Sequence, residues 1–327
     1  MSGVQQQIRS EITAKIVEAL KNGQRPWVRP WSDNPNGGWP SSIATSKPYR
    51  GINPLLLNLV MLERGYIHRW WATFNQWRKM GVNVKKRPED MKSGEWGVRI
   101  VFWQPITKEV EDGGQMKKVS FPLMRMYTVF NLEQVDDPEG KLAKYLIDKS
   151  MVKHPDYEVA EEVVKATKAD IRYGGNSAHY ALPTPYEAWP KHKAGDYICC
   201  PTSAQFKVLA DYYSTLFHEL GHWSEVRVKW HDEKYAMNEL VAEITSCFLS
   251  QTCGIPGSDN LDNHTRYLAH WLEAMAGDDR FIIRAAAQAS KNCDHILHYS
   301  GRAIVEDEPK DGNVKPSGKR KSKQQAA

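Results

Sequence analysis

Two histidines four residues apart, His218 and His222, with Glu219 beside the first, set the strongest local restriction in this chain. The run His218-Glu219-Leu220-Gly221-His222 belongs to an apolar stripe, Phe206, Leu209, Tyr213, Phe217 and Leu220, that predicts a helix over about 203–224. Residues four apart on a helix share one face, one turn apart. Both imidazoles can then reach one Zn²⁺ at about 2.0–2.1 Å. Glu219 is rotated toward the open coordination position, where it can take a proton from the attacking water and hand it to a leaving amine. A third donor has to come from another element. The next predicted helix, about 237–252, carries Glu239 and Glu243 one turn apart, and either can supply it. His231, between the two helices, reads as a loop histidine.

The rest of the chain divides by charge. Residues 1–135 hold 20 Lys and Arg against 11 Asp and Glu, or +9; residues 136–305 hold 18 against 24, or −6. Eight of the twelve tryptophans precede residue 104. A basic, ring-rich half suggests a polyanionic partner for that half alone. Rings and cations interleave at Arg25, Trp27, Arg29 and Trp31, at Lys47, Tyr49 and Arg50, at Trp71 and Trp77, and at Lys85, Lys86 and Arg87. Cations track phosphates and rings stack on unpaired bases whatever their identity, so these twelve residues are the candidate contacts for single-stranded nucleic acid. Tryptophan is also a good core residue, and half of the early ones should pack inside. Trp70, Trp96 and Trp103 read as core; the proline-flanked Trp27 and Trp31 read as exposed.

Element patterns give an α+β chain of two domains. An opening helix carries Ile8, Ile12, Ile16 and Leu20 and stops at Asn22-Gly23. A second starts with Asn53 as cap and Pro54 at its first position, and a third opens with a Thr73–Gln76 capping box. Val98–Trp103 and Met124–Leu132 read as strands of a hairpin around Asp112-Gly113-Gly114. After a connection at 136–155 comes a short helix at Tyr157–Ala166, weak strands at Asp170–Tyr173 and Asp196–Cys200, and then mainly helices, including 263–277 and 279–298. The predicted units are 1–135, 156–305 and a disordered basic tail at 306–327. The composition, 41% hydrophobic and 25% charged, excludes a disordered or fibrous protein. Five cysteines without paired spacing, a polar start and no apolar run of about 18 residues point to a reduced cytoplasmic chain outside any membrane.

The metal motif with Asn238-Glu239-Leu240-Val241-Ala242-Glu243 resembles the gluzincin superfamily of zinc proteases. That resemblance implies Glu239 as zinc ligand and Glu243 as hydrogen-bond partner of a ligand histidine, with the reverse assignment of the two open. It also implies an edge strand beside the metal helix that pairs with substrate backbone, for which Asp196–Cys200 is the candidate. Over about residues 8–300 the chain resembles the ArdC antirestriction family. The likeness rests on Lys47-Pro48-Tyr49-Arg50-Gly51-Ile52-Asn53, Trp71-Ala72-Thr73-Phe74-Asn75-Gln76, Val129-Phe130-Asn131, Tyr212-Tyr213 and Trp223. A related N-terminal domain occurs in TraC-type plasmid primases. The resemblance implies an N-terminal domain that binds single-stranded DNA without sequence preference and a C-terminal zincin-like metallopeptidase acting on an unidentified protein. Such proteins travel with plasmids or phages, so the site of action is the bacterial host or recipient cell. The chain departs from the family after Val84, at Lys85–Asp90, and in its basic tail. A non-catalytic single-strand coat with a structural metal, and a repressor-cleaving protease like the ImmA/IrrE group, are the competing functions. Mn²⁺ or another divalent ion can occupy the same donor set as Zn²⁺.

Overall fold

The computed structural model describes residues 3–27, 38–112, 115–146, 157–182, 195–255 and 262–302, with the side chains of 104–122 and 262–266 outside the description. Arg29, Trp31, the hairpin glycines 113–114, residues 147–155 of the connection with residue 156, and the tail lie outside it as well.

The chain is α+β. Its first half runs α1 (Gly3–Lys21), β1 (Ser41–Ser42), α2 (Asn53–Arg64), β2 (Trp70–Thr73), α3 (Phe74–Lys79), β3 (Asn83–Val84), β4 (Val98–Asp112), β5 (Gln115–Asn131) and β6 (Val135–Asp136). Four strands form a sheet in the order β1-β2-β5-β4. β4 and β5 make the expected antiparallel hairpin, from Val98 opposite Val129 to Asp112 opposite Gln115. All four residues of β2 are buried, because each face of this strand is covered. Side chains alternate across a strand. Trp71 packs with Tyr49, Leu57, Ile100 and Val129 in one cluster, while Trp70 and Ala72 pack with Ile43, Trp77 and Leu132 in another.

Local chemistry sets the helix ends. Thr73 and Gln76 form the expected capping box, with Gln76 N donating to Thr73 Oγ1 at 3.3 Å and Thr73 N to Gln76 Oε1 at 2.9 Å. Gly65 closes α2 in the left-handed region at φ 66°. Asn53 differs from expectation: it does not cap α2. Its amide pairs with both backbone groups of Val101, each at 2.8 Å, as a neighbouring strand would, and this pins α2 to the edge strand β4.

The second half runs α4 (Tyr157–Thr167), β7 (Ile171–Tyr173), β8 (His179–Ala181), β9 (Tyr197–Cys200), α5 (Leu209–Arg227), α6 (Tyr235–Thr252), α7 (Asp262–Gly277) and α8 (Phe281–His298). The metal-motif helix begins later than its apolar stripe, at Leu209; Phe206 belongs to the preceding loop. The small sheet has the order β7-β9-β8. The strand at 196–200 is therefore central, with partners on both sides, and the expectation of an edge strand there is corrected. β8, which sequence reading missed, is an edge among the described strands, and it packs against α5.

The two halves share one core. Ile8, Ile12, Ile16 and Leu20 of α1, together with Trp27 and Trp39, belong to the same apolar cluster as Phe217, Leu240, Phe248, Trp271 and Phe281. Trp27 meets Trp271 edge-on with centroids 5.9 Å apart, and Gln251 donates to the Trp27 carbonyl at 2.9 Å. Polar contacts follow the same seam. Arg50 forks onto both oxygens of Asp294, Gly51 N donates to Ser290 Oγ at 2.9 Å, and Arg9 pairs with Asp279 at 3.2 Å.

Candidate metal centre

Helices α5 and α6 pack closely enough to bring their polar residues together, and a glycine permits it. A Cβ on Gly221 would stand 3.0 Å from the Ala242 Cα. Glycine within a helix costs about 1 kcal/mol relative to alanine. Here it lets the metal-motif helix lie against the helix that carries the acidic pair.

At that contact His218 Nε2 and His222 Nε2 are 3.2 Å apart. Glu239 Oε2 is 3.5 Å from His218 Nε2, and Glu239 Oε1 is 3.5 Å from His222 Nε2. A tetrahedral ion with ligands at about 2.0–2.1 Å sets its donor atoms about 3.4 Å apart, so the spacing fits a small divalent cation. Among the described residues this is the one group of three or more such side chains able to share an ion. Glu243 approaches from the outer side, with Oε2 3.6 Å from His218 Nδ1. Glu239 therefore faces the inner nitrogens and Glu243 an outer one.

Sequence reading missed Glu225. Its carboxylate is buried and lies 3.1 Å from His222 Nδ1, so each histidine has a carboxylate behind it. The signal was available: Glu225 is three residues after His222, and such pairs share a helix face. It missed Tyr235 too, whose hydroxyl bonds Glu239 and lies 3.0 Å from the Tyr267 hydroxyl. His231 stays in the loop between α5 and α6, outside the donor group.

The electrostatics fit a cation. Burial pushes His218 down, but the carboxylates of Glu239 and Glu243 more than reverse this and hold its pKa well above the usual imidazole range. Burial likewise opposes His222, and Glu225 raises it. Burial works to raise Glu239, yet the two imidazoles hold it below the usual carboxylate range. Such a set binds positive charge, as a proton or as a metal ion. Glu219 is 7% exposed, and among the described residues no group donates a hydrogen bond to it. Cys200, at the end of β9 near Glu219, is pushed up to about 12, chiefly by burial, and so stays a neutral thiol.

The proposed nucleic-acid contacts fare differently. Trp27, Trp71 and Trp77 are fully buried and Tyr49 nearly so. These four are packing residues and have no face to offer a base, which corrects the expectation for each. Their burial follows from ring area. Trp77 also donates its indole N–H to the Phe130 carbonyl at 3.1 Å, so even its polar edge is used. Arg50 is taken by Asp294. Arg25 and Lys47 are half-buried, and Lys85, Lys86 and Arg87 are exposed. Trp70 is core as expected, Trp96 is half-buried, and Trp103, read as core, is 44% exposed.

Residues 6–130 match the family model for the N-terminal domain of anti-restriction factor ArdC, and residues 158–288 match a zincin-like metallopeptidase. The metal-free crystal structure of the antirestriction ArdC protein from the R388 plasmid is 31% identical, with a TM-score of 0.67 over 90% of this chain and 97% of that one. The chain belongs to the ArdC antirestriction family. The Mn(II)-bound structure of the R388 ArdC protein aligns with a TM-score of 0.63 at 29% identity, over 89% of this chain and 97% of that one. A DNA primase TraC from Escherichia coli is 30% identical over 330 residues, and this ArdC-family chain spans 28% of its length. The uncharacterized protein y4eC of Sinorhizobium fredii is 29% identical over 301 residues, 88% of this chain and 90% of that protein. Among the described residues no helix is long and apolar enough to cross a membrane.

Proposed function

We propose that this chain is an antirestriction protein of a mobile element, active in the cytoplasm of a bacterial host or recipient. It binds single-stranded DNA without base preference and hydrolyses a peptide bond at a divalent-metal site. His218, His222 and Glu239 hold the ion, Zn²⁺ by ligand type with Mn²⁺ as the alternative. Glu243 and Glu225 orient the two imidazoles. A carboxylate on Nδ1 fixes the tautomer that presents Nε2 to the metal and strengthens the ligand.

One observation carries the reading. Glu219 is buried beside three converged donors and accepts no hydrogen bond from the described protein, so its carboxylate is available for proton transfer. A bound divalent cation supplies a Lewis acid that polarises a carbonyl and acidifies water. Glu219 takes the proton from the attacking water and delivers it to the departing amine nitrogen. Tyr235, at the head of α6, holds Glu239 from the solvent side. The outer edge of β8 has no partner among the described strands, and an extended substrate backbone adds there beside α5. Binding DNA raises the local concentration of a DNA-bound protein substrate.

Metal content and single-turnover proteolysis of DNA-associated proteins, with and without chelator, test the enzymatic half. Protein that holds no divalent ion after purification and reloading overturns it. Titration of single- and double-stranded oligonucleotides at several salt concentrations tests the other half. Equal affinity for duplex counts against it.

A further inference from the structure

Trp27, Trp71 and Trp77 lie inside the core, so other rings and cations have to make any contact with nucleic acid. Six cation–π contacts are present among the described residues. Arg172 and Arg227 also pair with Asp170 and Asp196, and Arg64, which accounts for two, donates to the carbonyls of Glu95 and Trp96. The other two belong to one cluster. The Arg69 guanidinium lies 4.4 Å from the Trp70 ring centroid, Trp70 meets Tyr145 at 5.4 Å and 70°, and Lys144 Nζ lies 4.9 Å from the Tyr145 centroid. Among the described residues neither cation has a carboxylate partner. On the neighbouring stretch Glu133 is bonded to His68 and Glu139 to Lys141.

Arg69 is the unusual member. Its Nε is buried without an acceptor, and burial lowers its pKa from the ordinary value. Glycine at 38 makes room for it, because a Cβ there would stand 2.8 Å from Arg69 Nη1. A partly desolvated guanidinium without an anion is unfavourable, and an arriving phosphate relieves it with two parallel hydrogen bonds. Lys144 and Tyr145 are adjacent on a one-turn helix, Lys144 exposed and the Tyr145 ring half-buried.

We infer that Arg69, Tyr145 and Lys144, braced by the buried Trp70, form a contact site for single-stranded nucleic acid, with phosphates on the two cations and a base against Tyr145. This rests on the single-strand-binding reading above and gives it a place. The site differs from every exposed residue proposed from the sequence and depends on no metal.

Fluorescence anisotropy of a labelled oligo(dT) with the full chain tests it across a salt series. Arg69→Gln and Lys144→Gln should each weaken binding roughly tenfold at low salt. Each should reduce the salt slope by roughly 0.7. Arg69→Lys should restore the slope but only part of the affinity, since the fork is lost. Tyr145→Ala should weaken binding roughly tenfold with the slope unchanged. Lys291→Gln, on the exposed side of α8, controls for net charge, and melting curves check folding. A double variant R69Q/K144Q that keeps the parent affinity and slope overturns this site while the parent still binds. A parent that does not bind oligo(dT) overturns the site and the single-strand reading together. Equal losses with duplex of the same length overturn the single-strand assignment.

Discussion

The α5–α6 contact and the β2–β5 sheet region both concentrate the residues that chemistry uses, yet they use them in opposite ways. At the helix contact, His218 and Glu239 are buried and His222 is half-buried, and the carboxylate faces both imidazoles at 3.5 Å. In the sheet region Trp70, Trp71, Trp77, Tyr49 and Tyr66 are buried among aliphatic side chains and need no further reason to be inside. A buried charge is costly, so its presence signals a task; a buried ring is ordinary. The difference is why a candidate metal centre is readable from side chains alone, whereas a nucleic-acid surface is not marked by its buried rings.

The largest expected effect lies in the first region. Glu219→Gln should lower any metal-dependent proteolysis by about 10²–10⁴-fold. Metal content and melting temperature should hold, because no described group hydrogen-bonds the lost oxygen. Single-turnover assays with metal analysis on the same sample check it. Unchanged proteolysis would remove Glu219 from the chemistry.

Trp71→Ala attacks the other side of the comparison. The ring is fully buried among Tyr66, Leu57, Ile100 and Val129, and truncation should cost about 3–5 kcal/mol. Denaturant unfolding measures the loss. Trp71→Phe should recover most of the stability and leave affinity for oligo(dT) at the parent level. A folded Trp71→Phe protein that had lost DNA binding would return Trp71 to the nucleic-acid surface.

How much could be read in advance follows the same physics. The helices over 235–298, the Thr73 capping box and the β4–β5 hairpin were legible because periodicity, capping and turn residues are local signals. His218 and His222 were legible as a pair because helical spacing fixes which residues share a face; spacing left Glu239 and Glu243 equally open as the third donor, and only the family resemblance favoured Glu239. Glu225 obeyed the same spacing and was overlooked beside the stronger motif. The central place of β9 was hidden: strand order depends on β8, three residues with no strand pattern of their own. The proline-flanked Trp27 misled because flanking prolines describe the local chain, whereas its burial depends on Trp271, far away in sequence. Asn53 misled for a similar reason, since the cap position competes with a strand edge 48 residues away.

Glu225→Gln sharpens the metal side. The substitution keeps the shape but removes the charge behind His222 Nδ1, at 3.1 Å. Affinity for Zn²⁺ or Mn²⁺ should fall about 10–100-fold, read by competition with a chromogenic chelator. Oligo(dT) binding should not change. Undiminished metal affinity would leave Glu225 as a buried carboxylate without a role at the site.

The smallest effect belongs to the sheet region and has a defined pH window. Glu133 accepts from the backbone N–H groups of Ile67 and His68 and faces His68 Nδ1 at 3.0 Å. Burial works to raise its pKa, but the bonds to His68 and Ile67 win and hold it below the usual carboxylate range. A carboxylate with a lowered pKa in the folded protein stabilises it above the unfolded value, about 4.3, and that contribution is lost as pH falls through the folded value. Glu133→Gln should therefore cost about 1–2 kcal/mol at pH 7 and progressively less toward pH 3, by urea unfolding at each pH. Metal affinity at pH 7 should be the same in both proteins, because Glu133 braces the turn before β2 and touches neither α5 nor α6. A constant gap between the two unfolding curves from pH 7 to pH 3 would mean that the ionised form of Glu133 is not what holds the segment before β2.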